Sequence, residues 1–154
     1  MKAKSLIFTL FIAFGGLVSF INSPKGGSKC TGDTEYAMGL TLLDKYKLIK
    51  DYRISLKGGN PEKPPSDSYM ISLKAGLRYR LLPISNPNNK TKMIMSIYLN
   101  EEKTVLLATS FNKVTGKHYP KIDFNCRTTG TFYLFYEMEG AEKGCGVGLF
   151  SVEN

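Results

Sequence analysis

The sequence contains no tryptophan, one histidine and three cysteines, and its 13 acidic residues are outnumbered by 21 basic ones. A single histidine, His118, cannot by itself supply a nucleophilic triad or a general base with an orienting partner. It lies between Lys117 and Tyr119 in a polar stretch and is expected to be a surface loop residue. The cysteines have no C-x-x-C spacing, so a zinc site is not expected. No H-E-x-x-H, P-loop, G-x-S-x-G or EF-hand pattern occurs. The neighbouring carboxylates Glu101 with Glu102, and Glu137 near Glu139, read as turn and edge residues that keep strands soluble. The expectation is a protein without a cofactor and without catalysis. Glycine (15) and proline (7) are at ordinary levels, which excludes collagen-like and low-complexity chains.

What is present is the material of one folded domain. The chain of 154 residues is 42% apolar and 22% charged, with nine Tyr and nine Phe, a composition that leans towards strands. One long uncharged apolar run stands at the N-terminus, where Lys2 and Lys4 precede Leu6 to Ile21. That run is shorter than the ~20 apolar residues of a spanning helix, and its order of positive then apolar residues is that of a secretory signal. Residues 1–23 are read as a signal peptide, residues 24–45 as a linker with a short helix, and residues 46–154 as the folded domain. Gly27-Ser28-Lys29 before Cys30 does not make a lipidation box. The protein is therefore expected in the periplasm or outside the cell, with membrane association only if the signal stays uncleaved.

Cleavage removes two lysines and no acid, leaving 19 basic and 13 acidic residues and a charge of +6. The basic residues are spread along the chain and form no stripe, so nucleic acid is not expected as a partner. The sequon Asn89-Lys90-Thr91 matters only in a source that glycosylates exported proteins.

Hydrophobic periodicity carries most of the fold information. Asp33 to Asp44 fits a short helix capped by Asp33, with Tyr36, Leu40 and Leu43 on one stripe. From Tyr46 the period becomes two: Tyr46, Leu48, Tyr52, Ile54 and Leu56 share one parity, as one strand or two divided near Lys50. Lys57 to Asp67 reads as a long loop. Strands follow at Tyr69–Leu73, at Leu77–Leu81 (ended by Pro83), and at Met93–Leu99. Others are read at Val105–Thr109, Ile122–Phe124, Thr131–Met138 and Gly146–Val152. About eight short strands with regular turn signals, and no helix between them, predict an all-β antiparallel sandwich of jelly-roll type.

Two stretches carry a resemblance. Tyr69-Met-Ile-Ser-Leu-Lys-Ala-Gly-Leu-Arg-Tyr-Arg80 and Thr129-Gly-Thr-Phe-Tyr-Leu134 resemble the opening and closing strands of pre-peptidase C-terminal-like β-sandwich domains. GOLD-like and other jelly-roll sandwiches share this rhythm. Gly76 and Gly130 are both expected to supply positive φ at turns. The resemblance implies a small exported accessory or binding module. No peptidase precedes the domain in this chain, and Met93 to Ser96 stand where such domains often carry acids, so a calcium site is not expected.

Three cysteines allow one intramolecular bond. A regular strand over Thr131–Met138 would hold Cys126 and Cys145 ~20 Å apart, which favours Cys30 pairing with Cys126 or Cys145. On that strand Phe132, Leu134, Tyr136 and Met138 take one face, and Tyr133 and Phe135 the other. If outward Tyr133 and Phe135 neighbour Arg78 and Arg80, the four form an aromatic-basic platform for a protein partner or a glycan. The competing expectation is that Tyr36–Leu43 covers these aromatics. The functional expectation is an exported, non-catalytic binding or accessory module for a protein or envelope assembly, with a carbohydrate-binding module as the alternative.

Overall fold

The structure is a computed structural model, and it describes residues 30–154. The expected signal peptide, residues 1–23, and the first residues of the expected linker, 24–29, lie outside the described residues. A short helix, α1 (Asp33–Leu40), precedes ten strands: β1 (Tyr46–Leu56), β2 (Ser66–Leu73), β3 (Arg78–Ser85), β4 (Met93–Tyr98), β5 (Leu106–Thr109), β6 (Phe111–Asn112), β7 (Lys117–His118), β8 (Ile122–Asn125), β9 (Gly130–Met138) and β10 (Gly144–Glu153). Two antiparallel four-stranded sheets, ordered β1-β10-β3-β8 and β2-β9-β4-β5, face each other, and β6 and β7 form a separate small hairpin. Within the sheets β1 pairs with β10, β2 with β9, β3 with β8 and β4 with β5. The chain is thus one long hairpin rolled up, which is the jelly-roll arrangement.

Alternation explains the interior. Tyr79 and Leu81 of β3, Met93, Met95 and Ile97 of β4, and Phe132, Leu134, Tyr136 and Met138 of β9 all pack into one cluster between the sheets. β1 is a single strand, but its register slips between Leu48 and Lys50. The extra residue reverses the side-chain alternation. Tyr52, Ile54 and Leu56 consequently join the interior cluster, whereas Leu48 packs in a second cluster with Leu43, Leu82, Ile84, Val147 and Leu149. A continuous parity through Tyr46–Leu56 is therefore corrected by the bulge.

The second cluster lies beneath α1. The helix is capped by Gly32, at φ 78°, and not by Asp33, whose carboxylate instead pairs with Arg53. Its buried residues are Glu35 and Gly39, while Leu40 is 41% exposed. A Cβ on Gly39 would stand 2.4 Å from Leu149 Cδ1, so the glycine is what lets the helix approach the sheet. Asn86 donates to the buried Glu35 carboxylate at 2.5 Å and ties the helix to the loop after β3. Pro83 sits inside β3, paired with Gly148, and does not end the strand. The pairing with β8 stops at Leu81, so Pro83 occupies a stretch with a partner on one side only. β2 starts at Ser66, inside the stretch read as loop. Gly76 has φ +81°, as expected. Gly130 is not a positive-φ residue; it is the first residue of β9 and pairs with Leu73.

At Gly148 of β10 the other sheet packs directly on the backbone. A Cβ at Gly148 would lie 2.3 Å from the Tyr136 hydroxyl, so the ring occupies the space of the missing side chain. Tyr136 packs against Tyr52 and Tyr69 with centroids 5.9 and 5.8 Å away. Burial first, then these two neighbours, push its phenol far above the usual range. Its hydroxyl is buried without a hydrogen-bond partner. At the start of β10, Cys145 forms the disulfide with Cys30, the Cα atoms 5.9 Å apart, and Cys126 is buried as a free thiol. Asn89 clamps the same residue: its Nδ2 donates to Cys145 O at 2.6 Å, and its Oδ1 accepts from Cys145 N at 3.1 Å. The sequon amide is thereby taken up at both ends.

Tyr136→Phe removes an unsatisfied hydroxyl and keeps the ring, so its melting temperature is expected to equal or exceed that of the parent. A fall of several degrees in a thermal scan would give the hydroxyl a partner and contradict this. Cys30→Ser opens a loop spanning 115 residues and should cost roughly 2–4 kcal/mol in urea unfolding. The parent protein under reductant should unfold at the same midpoint as Cys30→Ser.

Candidate functional site

The four residues of the expected platform do not meet. β3 and β9 belong to different sheets. Arg78 and Arg80 share the parity of Leu82 and Ile84, which pack under α1, opposite to the interior Tyr79 and Leu81. Tyr133 and Phe135 alternate with the interior residues of β9, on the outer face of the other sheet. The sandwich separates the pairs. The helix does not cover the aromatics either, because it packs on β3 and β10.

Each member has a local role. Arg80 is 6% exposed and donates to Asp123 through Nε at 2.7 Å and Nη2 at 3.1 Å. Its guanidinium lies 4.1 Å from the Tyr46 ring centroid, and its Nη1 reaches the carbonyls of Leu42 and Leu43. It therefore clamps the junction between α1 and β1 to the sheet. The hydrogen bond from Arg80 holds the Asp123 carboxyl below the usual range, opposed by burial and assisted by the opposite charge. Arg78 is exposed and pairs with Asn125 in the β3–β8 register. Phe135 is 6% exposed because Lys103 Nζ lies 4.4 Å above its ring and Tyr98 meets it edge-on at 5.4 Å. Lys103 also binds Glu137 at 2.5 Å, so Glu137 is more than an edge residue for solubility. Tyr133 is half-buried between Met70 and Tyr98.

His118 is not a free loop residue. It belongs to β7, stacks near Phe111 with centroids 4.5 Å apart, and its Nε2 lies 3.1 Å from Glu139 Oε2. The pair borders a polar concavity of 460 Å³ shared with Ser85, Lys90 and Lys92. Glu139 joins His118 because the β6–β7 hairpin folds back towards the turn after β9. Local spacing gives no sign of that approach. Among the described residues no group of three or more His, Cys, Asp or Glu is placed to hold a metal ion, and no helix is long and apolar enough to cross a membrane.

A largely apolar concavity lies elsewhere, at the side of the sandwich where β5 and β8 are the edge strands. It has a volume of 540 Å³ and is walled by Leu99, Leu107, Phe124 and Phe132, with Asn125 and Arg127 on its rim. Phe132 is a core residue and Phe124 packs against the core, their rings 6.4 Å apart, so the groove is an outward extension of the interior. Leu99 and Leu107 remain 50% and 38% exposed. Opposite β4, the register places Ala108 against Ile97 and Leu106 against Tyr98, so Leu107 is the bulged residue. Bulges at sheet edges re-aim side chains, and this one places Leu107 on the wall of the groove. Simple alternation through Val105, Leu107 and Thr109 puts Leu107 in the interior and misses the groove. The site combines four separate segments, and the bulge is its one local device.

Asp123→Asn is expected to cost roughly 1–3 kcal/mol at pH 7 by weakening a charge-assisted bond to Arg80. The folded carboxyl titrates below its unfolded value of about 3.9. The stabilisation is therefore present above that value and is lost as pH falls through the folded value. Urea unfolding of parent and variant should differ at pH 7 and converge in acid; a constant difference down to the lowest pH would remove the ion pair as its cause. No family model matches the chain, and no curated protein matches it.

Proposed function

We propose that this protein is exported and acts as a non-catalytic binding or accessory module, with the groove between β5 and β8 as its binding surface. The observation that carries this reading is the groove itself, apolar walls continuous with the core and open to water. Exposed apolar concavities of this kind mark sites of interaction. Export is supported by the signal-like N-terminus and by the Cys30–Cys145 disulfide, a bond that persists in oxidising compartments. The resemblance to pre-peptidase C-terminal-like domains agrees with an accessory role. The aromatic-basic platform expected for either a protein or a glycan supports neither, since its members lie on opposite faces of the sandwich. Aliphatic and phenyl walls favour an apolar partner in the periplasm, at the cell surface or outside the cell.

A photoreactive amino acid placed at Leu107 in the full chain, expressed in its own cells, tests this. Adducts are expected at Leu107 and not at Met70, which is 69% exposed on the distant β2 edge. Equal labelling at both positions, or none, would remove the groove as a binding surface.

A further inference from the structure

Resting on the binding-site reading above, we infer that the groove holds the aliphatic chain of an anionic amphiphile, with its carboxylate or similar headgroup on Arg127. Three observations converge. First, the volume of 540 Å³ falls in the range of small-molecule sites, about 300–1,000 Å³. Of the residues that line it, Leu99, Leu107, Phe124 and Phe132 are apolar and none is acidic. Second, the charged group on the rim is a cation. Arg127 is exposed and, like Arg78 of β3, makes no ion pair among the described residues, whereas Arg53 and Arg80 are both engaged with carboxylates; of the two unpaired arginines Arg127 is the one that lines the groove. A guanidinium presents paired N–H donors that match a carboxylate or phosphate fork. The surrounding protein carries an excess of positive charge, +8 over the whole sequence, which attracts anions in general.

Third, the neighbouring edge is unsuited to the other apolar guest, an added peptide strand. β5 is four residues long and bulged at Leu107, and short, bulged edges are the devices by which sheets resist strand addition. A guest that inserts a flexible chain needs no backbone ladder. The Leu107 bulge thus performs two tasks: it discourages pairing along the edge and supplies a wall to the pocket.

The test is isothermal titration of the purified mature protein with sodium laurate below its micelle concentration. Saturable one-to-one binding is expected. Undecyltrimethylammonium, with the same alkyl chain and opposite charge, should bind at least about tenfold more weakly, the cost of one charge-assisted contact. Arg127→Gln should reduce laurate affinity by a similar factor and leave the cationic amphiphile unaffected or improved. Leu107→Glu, and independently Leu99→Glu at a position 50% exposed, should abolish laurate binding while retaining the near-ultraviolet dichroism of the folded protein. Absence of saturable laurate binding, or an Arg127→Gln variant of unchanged affinity, overturns the proposal. If laurate fails while the Leu107 photoprobe still captures a protein, the ligand class falls and the groove stands as a protein-docking surface. If the photoprobe also captures nothing, both readings fall together.

Discussion

The seating of Tyr136 on the bare backbone of Gly148 sets how closely the two sheets can approach. Tyr136 is fully buried on the central strand β9, and Gly148 faces it from the central strand β10. A methyl group at 148 would fall 2.3 Å from the ring, so the sheets would have to separate or the ring leave its place. Gly146 plays a related part within its own sheet, where a Cβ would stand 2.4 Å from the Ile84 carbonyl oxygen. The tyrosine ring bridges the layers, tilted against Tyr52 and edge-on to Tyr69. The Leu, Ile and Met residues around it fill what remains. The hydroxyl left without a partner is the cost of putting a large ring where its shape matters more than its polarity.

Much of the architecture was legible from alternation because each strand has one wet face and one dry one. Met93, Met95 and Ile97, or Phe132, Leu134 and Tyr136, declare their inward face two residues at a time. Legibility ends where the backbone adds a residue or dispenses with a side chain. The bulge near Ile49 reverses the parity of β1, and the one at Leu107 does so in β5; neither position carries a glycine or proline to announce it. Gly39 reads as a helix breaker by propensity, yet it is the residue through which α1 reaches Leu149 and Ile84. Arg80 looks like a solvent-facing cation by its alternation with Tyr79 and Leu81. It is buried because Asp123 on one distant segment, and Tyr46 with the carbonyls of Leu42 and Leu43 on another, converge on it.

The same limits apply to the candidate site. The aromatic strand stood out in the sequence, but strand neighbours in a jelly roll are set by the rolled hairpin and not by order along the chain. Arg80 and Phe135 therefore belong to different layers. Phe124 and Phe132 were visible as strand residues; that both line the β5–β8 opening depends on the short edge strand and the turn carrying Leu99. Net positive charge was evident from composition, whereas the location of an unpaired guanidinium beside an apolar opening follows from tertiary structure alone.

The disulfide also imposes an order of events on a chain that emerges from its N-terminus first. Cys30 precedes both other cysteines, and its native partner Cys145 follows 115 residues later. Cys126 is presented in the interval, before β9 and β10 exist to enclose it. Correct pairing thus waits for the two central strands, and until they form, Cys30 has a competing thiol within reach of a flexible chain. A protein built in this way relies on β10 both to complete the core and to decide which of two thiols Cys30 keeps.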